Sequence, residues 1–202
     1  TTPVMVTNNV IQYPDPNDPY NQYGLYCSYN MYTKFYHNTV DLANNYTSSF
    51  GAYLYYSSTT YAGNEFKNNI INSGQSSNRT IYTYWLSSAV MTFDNNVYSN
   101  DYGSNETNIY NVYTGQTYTS LASWQAASSQ DANSQMGDPL FSSSSLVPQS
   151  ASVNNSGTPV GVTTDITGAS RSVTTPDPGA YEFSVPTNNA QITVLHNPSN
   201  PI

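Results

Sequence analysis

Apolar and polar positions alternate in short segments through the first hundred residues, which is the pattern of half-buried β-strands. The alternation is clearest at 24–30 (GLYCSYN), 51–58 (GAYLYYSS) and 80–88 (TIYTYWLSS). Asn, Gly, Ser and Asp, which favour turns, are frequent between these segments. The pattern therefore predicts short strands joined by turns, and few helices.

A repeat runs through the same region. The segments MVTNNVI (5–11), FYHNTVD (35–41), FKNNIIN (66–72) and FDNNVYS (93–99) each place an asparagine between apolar positions. The asparagines that we align as structural turn positions are Asn8, Asn38, Asn68 and Asn95, with spacings of 30, 30 and 27 residues. Asn adopts the left-handed conformation at low cost, and its side-chain amide can bond backbone groups that a turn leaves unpaired.

One repeat unit is too small to bury its own apolar face, so successive units are expected to stack, with parallel neighbours about 4.8 Å apart. The asparagine repeats and the G-x-Y strands resemble the right-handed parallel β-helix family, a fold of pectate lyases and of many secreted surface proteins. This resemblance implies an all-β, right-handed parallel β-helix solenoid with coils over 1–100. We expect the segments 41–49 and 98–107 to protrude as loops.

The pattern changes after residue 100. Thr114-Gly115 suits a turn between two short strands. The segment 120–128 is the one plausible helix, with Ser120 as its N-cap and with Leu121, Trp124 and Ala127 or Gln125 on one face. We expect residues 101–183 to form the terminal coils and a C-terminal cap containing one short helix, which covers the open end of the stack.

A series of motifs follows the predicted helix. Their order resembles the C-terminal end of β-helix proteins among secreted, polysaccharide-active and surface proteins of Bacteroidota. The matching positions are Trp124, DPLF at 138–141, Asn155–Gly157, Asp165, Gly168, Arg171 and GAYE at 179–182. Arg171 can form a forked pair with a carboxylate such as Asp165 or Glu182, and we expect that pair to stabilise the fold.

Residues 184–202 are rich in proline and resemble the linker and first strand of Ig-like modules. Such modules follow β-helices in very large Bacteroidota surface proteins, including gliding-motility adhesins. We therefore expect this chain to be a piece of a longer polypeptide.

Composition narrows the possible functions. Ser, Thr, Asn and Tyr supply 97 of the 202 residues, whereas only 16 residues are charged and the net charge is −8. Four basic residues are too few to neutralise a phosphate backbone, so no nucleic-acid partner is expected. No apolar run is long enough to span a membrane. The 14% aromatic content argues against intrinsic disorder.

The aromatic side chains are the main candidates for ligand binding. Tyrosines on a parallel sheet can stack on sugar rings, while hydroxyl and amide groups bond the sugar hydroxyls. The alternative is that alternate aromatics form the core and the others cover the surface. The candidate glycan-binding residues are Tyr26, Tyr53, Tyr55, Tyr82, Tyr84 and Trp85.

No catalytic residue is assigned. A polyuronate lyase needs a Lys or Arg base, but Lys34 and Lys67 lie at different offsets from the Asn turns. The carboxylate pairs of related hydrolases are also missing, since the chain has no Asp-Asp pair and no GHG motif. No cofactor or metal site is expected, except that Asp15 and Asp18 form a weak Ca²⁺ candidate for which a simple turn is the alternative.

Together these features predict a non-catalytic β-helix module of a large secreted cell-surface protein. By resemblance, it would serve adhesion or gliding motility, contact surface glycans or polysaccharide, and leave the cell through the type IX outer-membrane secretion machinery. One alternative is the C-terminal part of a polysaccharide lyase or glycoside hydrolase whose active site lies upstream. A second alternative is a carbohydrate-binding module.

Overall fold

A computed structural model describes residues 2–13, 20–42, 49–74, 78–85, 87–100, 107–142 and 145–185. Within these ranges the chain forms fourteen strands and one helix. In chain order they are β1 (Val4–Thr7), β2 (Val10–Tyr13), β3 (Tyr23–Ser28), β4 (Thr33–Tyr36), β5 (Thr39–Leu42), β6 (Phe50–Tyr55), β7 (Asn64–Lys67), β8 (Ile70–Asn72), β9 (Arg79–Thr83), β10 (Met91–Asp94), β11 (Val97–Ser99), β12 (Ile109–Asn111), β13 (Gln116–Tyr118), α1 (Leu121–Ser128) and β14 (Gln135–Met136).

The strands form three sheets that the chain visits in turn. Sheet 1 has the order β1-β4-β7-β10, sheet 2 the order β14-β11-β8-β5-β2, and sheet 3 the order β13-β12-β9-β6-β3. Each strand from β1 to β9 pairs in parallel with the strand three places later in the chain. The predicted all-β class and the predicted parallel stacking of repeat units are thus confirmed.

Apolar side chains from all three sheets meet in one core. Phe35, Phe66 and Phe93 form an inward column in sheet 1, with neighbouring ring centroids 6.1 and 5.8 Å apart. The other inward columns are Val40, Ile71 and Tyr98 in sheet 2 and Leu25, Ala52, Ile81 and Ile109 in sheet 3. Full burial of one such large side chain contributes about 1.5–3 kcal/mol, so the core is the main source of stability.

The turn that ends each strand of sheet 1 contains a residue with positive φ. These residues are Asn8 (57°), His37 (55°), Asn68 (56°) and Asn95 (53°). The strand register places them in one column, because Thr7 pairs with Tyr36 and Tyr36 with Lys67. The predicted alignment is therefore wrong at Asn38, which lies one residue beyond its assigned position because the actual spacings are 29, 31 and 27 residues.

The next residue of each turn belongs to an asparagine ladder of Asn9, Asn38, Asn69 and Asn96, which is exposed at Asn9 and buried from Asn38 onward. From the second unit onward, the Oδ1 atom accepts from the backbone N–H and the side-chain Nδ2 of the asparagine in the preceding unit, over 2.8–3.2 Å. Asn38, Asn69 and Asn96 also donate to a backbone carbonyl of the preceding unit, each over 2.9 Å. The ladder satisfies polar groups at the corner between sheets 1 and 2 that would otherwise be buried without partners.

The ladder ends on a buried carboxylate. Asp131 accepts hydrogen bonds from Asn96 Nδ2 (3.1 Å), Trp124 Nε1 (2.8 Å), the Tyr98 hydroxyl and Ser134 Oγ. Burial raises the pKa of Asp131, and these hydrogen bonds oppose that rise. Asp131 thus joins the last repeat unit to the residues that cover it.

The end of the stack beyond β10 and β12 is covered by β13 and α1. β13 pairs antiparallel with β12 across residues 112–115, as the Thr114-Gly115 turn predicts. The predicted helix and its cap are also confirmed, since Ser120 Oγ accepts from Ser123 N over 3.2 Å. Leu121, Trp124 and Ser128 are the buried helix residues, so Ser128 takes the place predicted for Ala127 or Gln125.

Residues 153–182, called the strap below, lie along the outer side of sheet 2 and the corner with sheet 1. Side chains of the positive-φ column form hydrogen bonds with the backbone of the strap. Asn8 and Asn68 donate from Nδ2 to Thr164 O (2.8 Å) and Thr158 O (2.7 Å), and His37 Nδ1 lies 3.0 Å from Asp177 O. Val153 packs against the outward side chains Ile70 and Val97 of sheet 2. The strap therefore ties successive repeat units together.

Arg171 fixes the strap to the first unit. Its guanidinium is buried and donates to Asn8 Oδ1 (2.9 Å), Gly179 O (2.9 Å), Asp177 O (3.1 Å) and Glu182 Oε2 (3.4 Å). The predicted pairing with Glu182 is confirmed, but through the single nitrogen NH1 instead of a fork. Burial lowers the pKa of Arg171, while Glu182 and two further carboxylates oppose this.

Some sequence predictions fall on residues outside the described ranges. They include the calcium candidates Asp15 and Asp18, most of the loops expected at 41–49 and 98–107, and residues 186–202 of the expected linker. In the described part of the chain, no helix is long and apolar enough to cross a membrane.

Candidate ligand-binding face on sheet 3

The outer side of sheet 3 carries columns of aromatic side chains. Strand alternation places Leu25, Ala52 and Ile81 inside and the residue that follows each of them outside. Tyr26, Tyr53, Tyr82 and Tyr110 are therefore in register on the outer side. Four of the predicted glycan-binding side chains, Tyr26, Tyr53, Tyr55 and Tyr82, belong to strands of this sheet, and Tyr84 follows β9.

Two glycines set the spacing of this face. Tyr23 and Tyr26 are three residues apart, yet their ring centroids lie 5.6 Å apart on the same side of the sheet. Gly24 and Gly51 each add one residue on the inner side of the strand, between the two outward aromatic residues. Only glycine fits there, because a Cβ would lie 2.3 Å from Val40 Cγ1 at Gly24 and 2.3 Å from Ile71 Cγ2 at Gly51. The glycine of each G-x-Y segment thus allows one more outward aromatic residue on its strand, Tyr23 on β3 and Phe50 on β6.

The central tyrosine column is a stack of rings. The centroids of Tyr26 and Tyr53 are 4.9 Å apart with planes 6° apart, and those of Tyr53 and Tyr82 are 4.6 Å apart with planes 8° apart. Both faces of the Tyr53 ring are consequently covered by other tyrosines. A sugar cannot stack on the Tyr53 ring; it would contact ring edges and hydroxyl groups instead.

A second column flanks the first. Tyr55 and Tyr84 have centroids 5.1 Å apart at 63°, and Tyr113 follows at 5.8 Å and 55°. Because these rings are tilted, they present parts of their faces as well as their edges. Among the described residues, the hydroxyls of Tyr26, Tyr55 and Tyr84 form no hydrogen bond, so they are available to a ligand.

The third column contains the one cation of the face. Tyr23 stacks on Phe50 with centroids 5.0 Å apart, and Phe50 pairs in register with Arg79. The Arg79 guanidinium carbon lies 4.1 Å from the centroid of the Tyr110 ring. The residues predicted for the face did not include Tyr23, Phe50, Arg79 and Tyr110. Alternation and the repeat register indicate Tyr110, but alternation alone puts the other three on the inner side, because each lies three residues before an outward tyrosine.

The face is almost uncharged. The five strands of sheet 3 contain no Asp or Glu and, apart from Arg79, no basic residue. Burial raises the pKa of Tyr53 to about 12, and the neighbouring tyrosines Tyr82 and Tyr26 add to the rise. Its hydroxyl is therefore neutral at physiological pH and serves as both hydrogen-bond donor and acceptor.

Trp85 does not belong to this face, although it was predicted with it. Its indole Nε1 donates to Met91 O over 2.9 Å, and its ring lies edge-on against Trp124 with centroids 5.7 Å apart. Trp85 lies on the same inner side as Ile81 and Thr83, because alternation continues past the end of β9, and it therefore points toward the core and the cap. The candidate face therefore consists of tyrosines, Phe50 and Arg79.

The lysines considered as possible lyase bases lie on sheet 1, away from the tyrosines. Lys34 and Lys67 both form salt bridges with Glu65, which also accepts from the Tyr36 hydroxyl over 2.6 Å. Burial tends to raise the pKa of Glu65, but the hydrogen bonds from Lys34, Lys67 and Tyr36 outweigh it and lower the pKa to about 2. Both lysines are engaged by the one Glu65 carboxylate, so neither is a free base.

No group of three or more His, Cys, Asp or Glu side chains suited to a metal ion occurs in the described ranges. The buried Cys27 thiol accepts from Asn30 Nδ2 over 3.0 Å and from the Tyr56 hydroxyl over 3.4 Å. Burial raises the pKa of Cys27, so the thiol is protonated and packs as a small core residue.

Comparison with protein-family models, with curated proteins and with solved structures gives no match for this chain.

Proposed function

We propose that this chain is a non-catalytic, right-handed parallel β-helix module whose tyrosine face binds glycans. Strands that pair with the strand three places later support a helical path through the three sheets. Connections between parallel strands of one sheet are right-handed in about 98% of cases, which supports the right-handed form.

The observation that carries the glycan proposal is the register of outward tyrosines across four repeat units. They present hydroxyls and ring edges on a flat and nearly uncharged surface. Such a surface suits a ligand with many hydroxyl groups and apolar C–H patches, as sugars have. An extended glycan crossing several units makes the same contacts repeatedly, so weak individual contacts add up to useful affinity.

The polar groups of the face support binding without catalysis. Hydrolysis of a glycosidic bond ordinarily uses two carboxyl groups on either side of the bond. The strands of sheet 3 contain no carboxylate. Glycan contact on this face is therefore adhesive in our proposal, and the order of C-terminal motifs supports its place in a larger secreted surface protein of the Bacteroidota type.

A glycan array followed by calorimetric titration tests the proposal. The matched variants are Tyr26→Phe and Tyr84→Phe, which each remove from the face a hydroxyl that bonds no described residue, and Tyr32→Phe, which removes one from an exposed turn outside it. Each face variant is expected to weaken binding about fivefold, the equivalent of one hydrogen bond of about 1 kcal/mol. Tyr32→Phe should bind normally. The proposal is wrong if the protein binds no glycan at millimolar concentration.

A further inference from the structure

Arg79 differs from the other cations of the chain. Lys34 and Lys67 share Glu65, and Arg171 pairs with Glu182. Arg79 has no salt bridge with any described residue, and its guanidinium donates no hydrogen bond to them. It is also the one cation on the outer side of sheet 3.

The Arg79 guanidinium is held in place although its N–H groups donate no hydrogen bond to the described residues. The guanidinium lies against the Tyr110 ring, which holds a cation through its negative face. The NH1 atom is buried without a hydrogen-bond partner, while the residue as a whole is half-buried. Because NH1 is out of reach of solvent, a ligand acceptor would meet the exposed part of the guanidinium, whose orientation the Tyr110 ring holds.

The surroundings favour an anionic acceptor. Burial and the neighbouring Tyr110 raise the pKa of Tyr82, and the positive charge of nearby Arg79 opposes this rise. No carboxylate in the strands of this sheet competes for the guanidinium. The planar fork of an arginine matches the geometry of a carboxylate better than that of a single hydroxyl.

We infer that Arg79 binds the carboxylate of an acidic sugar, while the tyrosine columns contact neutral sugars of the same glycan. This inference rests on the proposed function and names the class of glycan. A net charge of −8 repels a fully charged polyanion. The geometry therefore points to a mainly neutral glycan carrying isolated uronic acid residues.

The test uses an array of matched oligosaccharide pairs, each neutral chain printed beside the same chain with one uronic acid residue. The wild type should prefer the acidic member about fivefold, as expected for a partly exposed ion pair of about 1 kcal/mol. Arg79→Gln should abolish this preference, which is measured as the ratio of the two affinities within the same variant. Arg79→Lys should retain part of it, because the charge remains and the fork is lost.

Lys67→Gln is the control, since it removes the same charge from sheet 1. It should leave the preference intact, and circular dichroism would verify that each variant is folded. Equal binding of both members by the wild type, or an unchanged preference in Arg79→Gln, would overturn the inference and leave the proposed function standing. Failure to bind any oligosaccharide would overturn both.

Discussion

The column of positive-φ residues mixes three asparagines with one histidine, and the histidine gives it a pH response. Burial and the nearby Arg171 charge lower the pKa of His37 to about 3. Its neutral ring donates from Nδ1 to Asp177 O, and Nε2 accepts from Asn68 Nδ2 over 3.1 Å. Protonation would place a second cation beside Arg171 and remove the acceptor for Asn68.

The unfolded chain takes up a proton at His37 below a pH of about 6.5, whereas the folded chain does so only near pH 3. The associated stability is therefore complete above pH 6.5 and is lost as the pH falls toward 3. His37→Asn should remove this component of the acid dependence and stay within about 1 kcal/mol of wild type at pH 7, because Asn suits the conformation. Urea unfolding across this pH range measures both, and an unchanged slope in the variant would contradict the assignment.

The contribution of each ladder asparagine to the stability of the protein depends on its position in the stack. Asn69 is fully buried, and removing its side chain takes away the acceptor of the Asn38 backbone N–H and the side-chain donor to the Phe35 carbonyl. Asn69→Ala should lower the free energy of unfolding by about 3 kcal/mol, since each unsatisfied buried group costs about 1–3 kcal/mol. Asn9→Ala, at the exposed end of the same ladder, should cost under about 1 kcal/mol by chemical denaturation. Equal losses would show that the ladder adds nothing beyond a single hydrogen bond.

The sequence alone did not show which residue of the second turn aligns with Asn8, Asn68 and Asn95, and Asn38 was chosen wrongly. In three of the four turns an Asn-Asn pair occupies the positive-φ position and the ladder position, so either asparagine can be aligned. In the second turn these positions are His37 and Asn38, and aligning like residues moves that unit by one position. Phe35 aligns with Phe66 and Phe93 in the core, so the aromatic column was the more reliable guide.

Sheet 3 depends on close approach of its backbone to sheet 2. A Cβ on Gly51 would lie 2.3 Å from Ile71 Cγ2 and 2.7 Å from Thr80 O. Gly51→Ala should therefore destabilise the protein by up to about 3 kcal/mol through overpacking. The control is Gly137→Ala, where the nearest atom lies 3.6 Å away. Thermal unfolding compares the two, and equal melting temperatures would contradict the close packing.

The elements differ in how far they can be predicted from sequence. Helix α1 was predictable because its signals are local: Ser120 caps it, and Leu121 and Trp124 share its buried side. The outward tyrosines followed from alternation within single strands. The path of the strap did not, because its contacts join residues as distant as Asn8 and Thr164. Trp85 was misplaced on the outer face although alternation puts it on the inner side with Thr83, where it meets Trp124 of the cap.

Across the whole molecule, the core holds the sheets together and the strap adds a second layer of connection between units. Arg171 makes four hydrogen bonds that join the strap to itself and to the first unit. Arg171→Ala removes them and leaves Glu182 without its cation. The expected loss of stability is about 3–5 kcal/mol, the range for breaking a buried ion pair.

The loss should not be uniform, because strap and core are held by different contacts. Hydrogen exchange in Arg171→Ala should accelerate first at strap amides such as Gly179, which donates to Asn68 O over 2.7 Å. Sheet 3 amides such as Tyr84, which donates to Leu54 O over 3.0 Å, should stay protected. Arg79→Gln removes an arginine that no carboxylate pairs in the described residues, so it should leave both sets unchanged. Simultaneous loss of protection at Gly179 and Tyr84 in Arg171→Ala would mean that strap and sheets unfold as one cooperative unit.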